Sequence, residues 1–541
     1  MNDTFMHFRE HSIAEFFKKN RQMLGFSGKV RSLTTIVHEY VTNSLDACEE
    51  AGILPDIFVQ VEQLEADRIR VTVEDNGPGI PKKLVGKALG QMLAGTKFHR
   101  YMQQRGQQGI GAAGACMFAQ VTTGRPVKLR TCTGDGKVLS ADLKIDFKTN
   151  RPILENEQES DSSSWHGLWI QAEFADVKYD RSEYSPLEYL KRTALANPHA
   201  KLLFREPTGE EFLFPRASDS VPQRPVEVQP HPLGISTHDL LEFARVAEER
   251  KLSSFFVNNF SRFSQGKVDE LRALLPDVNF DMPPRELGWE QAERLVAAFR
   301  QLKWISPETD ALRPIGKEQL KKALANIYNP EFMAVVERRA KVFRGGIPFM
   351  VEAAIAYGGS AGRRKADGTV GGNILRFANR VPLLFDAGGC AVTTAVKGLD
   401  WRRYDIRDFE NEPVSVLVNF VSVHVPYTGA GKQAIAEEDE IIDEIRLAVM
   451  EAARDMQRYL SGKVRAAARE SKKKAIMRYV AQLAQDLSAL AGKGRPEAVE
   501  RKLMQMIESK YSQLTLEEAE ESKEMAEGDA PENGEESEKE E

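Results

Sequence analysis

Cysteine is scarce: four residues in 541, at positions 48, 116, 132 and 390, with no CxxC spacing. That excludes a disulfide framework and a thiolate zinc site, and it fits a reducing compartment. No run of about 18 apolar residues exists, so no segment reads as a transmembrane helix. The first stretch, MNDTFMHFREHSIAEFFKKN, is charged throughout and lacks the apolar core of a secretory signal. No targeting segment is expected, and the expected location is cytoplasmic. No G-x4-G-K-[ST] phosphate loop occurs, and no repeat of 20–50 residues is visible. His7 and His11 stand four apart without a third ligand, so they read as part of an N-terminal interaction arm and not as a metal site.

Charge is unevenly placed. The formal net charge is −6, but residues 517–541 hold thirteen acidic residues and two lysines, a net of −11, which leaves about +5 for the rest. The acidic end has too few apolar residues to offset the entropy of ordering and reads as a disordered tail. A mildly basic body permits nucleic-acid binding without demonstrating it.

Along the chain, residues 33–48 carry apolar side chains at helical spacing: Leu33, Ile36, Val37, Tyr40, Val41, Leu45 and Cys48. Beside that stripe Glu39, Asn43 and Asp46 form a polar ridge. IRVTVED alternates with Ile69, Val71 and Val73 on one strand face, and Asp75 shares their parity. The turn NGPGIP follows, then the helical KLVGKALGQML and the glycine-rich GQQGIGAAGACMFAQ. Strand-like runs appear near 126–132, 138–147 and 167–174. Six prolines between 207 and 232 signal a linker. Residues 235–306 read as short helices, whereas PFMVEAAIAYGG and EPVSVLVNFVSVHVPY read as strands around a basic loop, SAGRRKADGTVGG. Helical composition then runs from Gln433 to about residue 514.

Three pieces suit nucleotide hydrolysis. That chemistry needs a carboxylate to activate water and a ligand for the magnesium that neutralises phosphate charge. It needs backbone N–H groups close to phosphates, which glycines permit, and a polar group in an apolar slot to recognise the base. Glu39 can supply the first and Asn43 the second. Gly106, Gly109 and Gly111 supply the third, and Asp75 is placed to accept from an adenine amino group. Each piece has a plainer reading. Alone, Glu39 and Asn43 read as a solvated helix face, Asp75 as the start of a turn, and the glycines as a flexible linker. It is the ordered set that turns these readings toward chemistry.

E-x3-N-x2-DA, DNGPGI and GQQGIG, in that order, resemble the ATPase superfamily of gyrase, heat-shock chaperones, histidine kinases and MutL. LAGTKFHRYMQQRGQQGIG, QVTTGRP, RFANRVPLLFDAG and VPYTGAGKQAI further resemble the B subunits of DNA topoisomerase VI, over about residues 20–450. The resemblance implies an α+β multidomain chain. An N-terminal arm (1–20) precedes an α/β sandwich ATPase domain of the Bergerat type (21–228). A helical helix-two-turns-helix domain (229–306) follows. An α/β transducer with a long C-terminal helical stalk (307–515) and the acidic tail (516–541) complete it.

By the same resemblance, Glu39 is the general base and Asn43 holds Mg2+. Asp75 reads adenine beside Gly77 and Gly79, and Thr96 and Lys97 lie near the nucleotide. The lid comprises Gly106, Gln107, Gln108, Gly109, Ile110, Gly111, Ala112 and Ala113. Lys432 reaches the terminal phosphate of ATP from the transducer, a task suited to a point-like ammonium. After GQQGIG, Ala112, Ala113 and Gly114 depart from the bulkier or hydroxyl-bearing run expected of relatives.

The implied activity is that of a type IIB topoisomerase ATPase subunit. Two such subunits close on ATP around double-stranded DNA, a separate A subunit cuts a second duplex, and the assembly is an A2B2 heterotetramer associated with the nucleoid, with no membrane. No EGDxA segment or DxD pair follows the transducer, so cleavage is expected from the partner. GRRKADG and KVRAAARESKKKAIMR are candidate DNA contacts, although most charge runs are solvated surface. The alternatives are a chaperone-like clamp of the same superfamily, a histidine kinase, and a meiotic-type scaffold with a degenerate site. Only about 30 residues precede the Glu39 helix, too few for a phospho-accepting helix, and the intact Glu39, Asn43, Asp75 and glycine set argues against degeneracy.

Overall fold

The computed structural model describes residues 21, 25–92, 101–106, 109–147, 149–161, 164–365, 367–429, 431–492 and 494–511. The N-terminal arm, Thr96, Lys97, Gln107, Gln108 and the acidic tail lie outside the described residues.

The first helix, α1 (Lys29–Ala51), buries the whole apolar stripe from Leu33 to Cys48. It stops at Gly52, whose left-handed backbone (φ 72) turns its N–H onto the carbonyls of Cys48 and Glu49. An eight-stranded sheet follows: β1 (Asp56–Glu65), β2 (Arg68–Asp75), β3 (Val127–Cys132), β4 (Lys137–Asp146), β5 (Arg151–Asp161), β6 (Gly167–Ala175), β7 (Lys201–Arg205) and β8 (Glu211–Phe214). Its order is β5-β4-β3-β6-β2-β1-β7-β8. All neighbours are antiparallel except β1 and β7. Three more helices join it: α2 (Lys82–Gly90), α3 (Gly111–Thr123) and α4 (Pro186–Ala196). Inward residues such as Ile57, Val59, Val71 and Val73 merge with the helices' buried stripes in one core.

Four short helices come next: α5 (Thr237–Val246), α6 (Leu252–Asn259), α7 (Gln265–Leu274) and α8 (Trp289–Phe299). Ser236 and Asp239 cap α5 reciprocally. Their core is aromatic. Phe255, Phe256, Phe260, Phe263 and Phe299 meet with ring centroids 5.1–6.4 Å apart.

The remainder of this body is built on a second sheet, preceded by α9 (Lys317–Tyr328). β9 (Phe332–Glu337) and β10 (Lys341–Phe343) both pair with β11 (Ile347–Tyr357). The basic loop carries a small pair, β12 (Arg363–Arg364) and β13 (Val370–Gly371). β14 (Asn373–Ala378), β15 (Val381–Pro382), α10 (Ala391–Lys397) and β16 (Val414–Ser422) follow. β16 is buried at every position between β11 and β14, which explains its nearly unbroken apolar sequence.

The chain forms two compact units, residues 1–456 and 457–541. Both sheets and the aromatic helical core belong to the first. The division falls within α11 (Asp439–Met477). In the second unit, α12 (Val480–Ala491) is followed by helical residues 496–511. Among the described residues, no helix is long and apolar enough to cross a membrane.

Candidate nucleotide site

The polar ridge of α1 divides. Glu39 and Asn43 line a cavity of about 750 Å³, whereas Asp46 turns to the Arg105 guanidinium at 2.6 Å. Asp75, at the carboxyl end of β2, enters the same cavity from the sheet. Val73, Ile80, Leu168 and Ile170 supply apolar wall around it.

Asp75 is 5% exposed, and both of its carboxylate oxygens accept hydrogen bonds. One carboxylate oxygen accepts from the Ser44 hydroxyl at 2.6 Å; the other accepts from the Gly77 N–H at 2.9 Å and the Leu168 N–H at 3.1 Å. Burial raises its pKa, opposed by those three donors. Gly79 is held at φ 69, and a Cβ there would stand 2.2 Å from the Cys132 carbonyl oxygen. The turn after Asp75 therefore needs glycine for both conformation and space. Gly79 lines the cavity; Gly77 instead serves Asp75 through its amide.

Opposite, Gly106, Gly109, Ile110 and Gly111 line the cavity, with Ala112 and Ala113 behind them in the first turn of α3. Among the described residues no side chain caps this helix, and its leading N–H groups and positive dipole end stand at the cavity wall. Glu39 lies against the same point: a Cβ on Gly111 would sit 1.9 Å from its Oε2. The small side chains of Ala112 and Ala113 keep the backbone close to the cavity.

The third wall comes from the second sheet's side. Lys432, with a left-handed backbone (φ 51), lines the cavity together with Gln433 and Phe385. The Gln433 side chain accepts from the Phe385 N–H at 3.2 Å. Arg376 ties both residues by donating to the Phe385 carbonyl at 2.7 Å and the Gln433 carbonyl at 3.2 Å. Arg31 of α1 forks onto Asp386 with two bonds of 2.9 Å and covers the Phe385 ring at 4.6 Å. His38, beside Glu39, lies 3.3 Å from both the Tyr189 hydroxyl and the Thr42 hydroxyl. Burial lowers its pKa, with Glu39 raising and Lys432 lowering it further, so all three groups share one local field.

The structure thus gathers Glu39, Asn43, Asp75, Gly79, the described lid residues and Lys432 around one space. Ser44, Leu168, His38 and Arg31 were not singled out in the sequence, and Phe385 stood only inside the RFANRVPLLFDAG stretch without an assigned role. Ser44 is a lone serine in a helix, and Leu168 contributes only its backbone. The residues present fit ATP. The volume accommodates a nucleotide, a buried acceptor ends an apolar slot, and uncapped amides stand where anionic phosphates are stabilised. Among the described residues no cluster of three His, Cys, Asp or Glu exists; Asn43 lines the cavity and offers a side-chain oxygen, and magnesium commonly keeps phosphate and water in its shell beside one or two carboxylates.

Residues 28–147 match the family of histidine kinase-, DNA gyrase B- and HSP90-like ATPases. Fold and site together define an ATP-binding ATPase of that class. Residues 307–474 match the transducer of the topoisomerase VI B subunit. The type 2 DNA topoisomerase 6 B subunit of Thermococcus kodakarensis is 44% identical over 96% of this chain and 98% of its own. That of Methanothermobacter thermautotrophicus is 45% identical over 91% of this chain and 94% of its own. The chain belongs to the family of type 2 DNA topoisomerase 6 B subunits and is the ATPase subunit of a type IIB topoisomerase.

Proposed function

We propose that ATP binding closes two copies of this chain around one DNA duplex, while a DNA-cleaving A subunit opens another, and that hydrolysis resets the gate. The observation that carries this reading is the composition of the cavity. Glu39, Asn43, Asp75, Gly106 and Gly111 meet Lys432 in it across nearly 400 positions of sequence. An occupant touching both sides has differential contacts in open and closed arrangements, which a nucleotide-driven switch requires.

In this reading Asp75 accepts from the adenine amino group and α3 presents its free amides to the phosphates. Glu39 orients and deprotonates the attacking water. Lys432 stabilises charge on the terminal phosphate. Magnesium, when bound at Asn43, neutralises phosphate charge. Thr96, Lys97, Gln107 and Gln108 complete the nucleotide contacts. The functional divisions are 21–228 for the ATPase, 229–306 for the helix-two-turns-helix domain and 307–515 for transducer and stalk. The partner assembly is A2B2 on double-stranded DNA. Within the basic loop, Arg363 is engaged by Glu183 at 2.6 Å and Lys365 by Asn411 at 2.8 Å. Arg364 is exposed and is the better candidate for a phosphate contact.

The test is relaxation of supercoiled DNA with ATP, magnesium and the cognate A subunit. Glu39→Ala should retain nucleotide binding and closure, and lose hydrolysis by a factor of about 10²–10⁴. Normal hydrolysis by that variant rules out Glu39 as the base.

A further inference from the structure

We propose that residues 101–105 form a second coupling arm between the lid and the transducer sheet, with Gln103 and Arg105 as its positioning residues. The proposal rests on the reading of the cavity as an ATP site, and it is independent of Lys432.

The arm is anchored at successive residues by different chemistry. Tyr101 packs on a small apolar cluster of Leu312, Val421 and Val423, and its carbonyl accepts from the Val228 N–H at 2.8 Å. Gln103 is buried, 4% exposed, and pairs both ends of its amide with one backbone unit. It donates to the Arg313 carbonyl at 2.8 Å and accepts from the Arg313 N–H at 2.6 Å. The Gln104 carbonyl accepts from the Asn379 side chain at 3.3 Å. Arg105, adjacent to the first lid glycine, forks back onto α1. Its guanidinium meets Asp46 at 2.6 Å, Glu49 at 2.6 and 3.0 Å, and Asn197 at 2.6 Å. Burial opposes ionisation of Glu49, yet Arg105 and the bonded His199 hold its carboxyl well below the usual carboxylate range.

The far end of the arm is bonded into the second sheet. Two and three residues beyond Arg313, the Ile315 and Gly316 amides donate to the buried Glu352 carboxylate of β11 at 2.9 and 2.7 Å. Asn419 of β16 donates to the same carboxylate at 2.7 Å, and its own oxygen accepts from the Arg380 N–H at 3.1 Å. Asn379 and Arg380, joining β14 to β15, both have left-handed backbones (φ 48 and 67), a conformation that persists when its surroundings over-determine it. The Arg380 guanidinium also donates to the Pro314 carbonyl at 2.9 Å. A displacement of the glycine loop therefore meets, within three residues, a bonded path into the strands β11, β14 and β16. Since Arg105 fixes the other side of the segment to the helix carrying Glu39, lid position, α1 and transducer are tied at one place.

The test compares Gln103→Leu with wild type, each as the full chain with its A subunit. Leucine keeps the volume and removes both bonds to Arg313. The expected result is binding of a non-hydrolysable ATP analogue within about threefold of wild type, with DNA relaxation per ATP hydrolysed reduced by roughly tenfold, inside the usual range of coupling effects. A purely structural role would lower binding and relaxation together, through the folded fraction. Wild-type relaxation per ATP in Gln103→Leu overturns the proposal. Should that variant not fold, hydrogen exchange on the wild-type complex decides. Adding the analogue is expected to protect residues 106–120 and, with them, 101–105 and 313–320. Protection confined to 106–120 overturns the coupling arm. Absence of protection at 106–120 itself overturns the ATP reading beneath it.

Discussion

Gly111→Ala is the most incisive change the site offers. Gly111 opens α3 and is not among the glycines with left-handed backbones, so alanine fits its conformation and is the better helix former by up to about 1 kcal/mol. The obstacle is space. A Cβ there would lie 1.9 Å from Glu39 Oε2 and 2.7 Å from its Cδ. Ordinary contact begins near 3.4 Å, so the carboxylate or the helix start must retreat by about 1.5 Å. Misplacing a catalytic group by about 1 Å can cost 10²-fold in rate, and loss of a positioned base costs about 10²–10⁴-fold. Turnover of Gly111→Ala should therefore fall by about 10²-fold or more. Affinity for a non-hydrolysable ATP analogue should stay within about tenfold, because the backbone amides of α3 remain. The assay is steady-state ATP hydrolysis paired with equilibrium analogue binding and a thermal melt of the same preparation. A variant that melts like wild type and hydrolyses ATP at the wild-type rate would falsify the placement of Glu39 against the lid.

Three further outcomes follow from the geometry. Asp75→Asn replaces a charged acceptor and sets an NH2 group against either the Ser44 hydroxyl or the Gly77 and Leu168 amides; analogue affinity should drop by about 10–100-fold, read by calorimetry. Arg31→Ala removes the fork to Asp386 and the cover over Phe385, so KM for ATP should rise about 5–30-fold while kcat changes little, and an unchanged KM would show that this wall of the cavity stands without it. Glu49→Gln leaves Arg105 with Asp46 as its remaining bonded carboxylate and should cost about 1.5–3 kcal/mol of stability at pH 7. Because the folded carboxyl titrates below the ordinary value of 4.5, the stabilisation is present above that value and is lost as pH falls towards the folded one. The wild-type advantage over Glu49→Gln in denaturant should shrink below pH ~4; an equal advantage at pH 3 and pH 7 contradicts the ion pair.

Periodicity and turn chemistry are local properties, and they were legible in the sequence. The stripe from Leu33 to Cys48 specified α1 and its buried face. The parity of Ile69, Val71 and Val73 put Asp75 on the inward side of β2, and EPVSVLVNFVSVHVPY read as a strand, though its burial on both faces did not show in the sequence. Glycine at 79 and 111 was visible too, but not its reason, since the atoms a Cβ would strike belong to Cys132 and Glu39. The ridge showed the same limit: Glu39, Asn43 and Asp46 are equivalent by helical spacing, yet only the first two reach the cavity, because Arg105 claims the third.

The sequence by itself determined the helices, the strand faces and the order of motifs, because each depends on side chains a few positions apart. Which side chains share a site was decided only by the tertiary structure. Ser44 meeting Asp75, Arg31 meeting Asp386, Gln103 meeting Arg313 and Lys432 lining the cavity that Glu39 lines bring together segments separated by 31 to nearly 400 residues. Their geometry is set by sheet order and by the packing of two sheets' helices and loops, and no local pattern encodes a distance across a core.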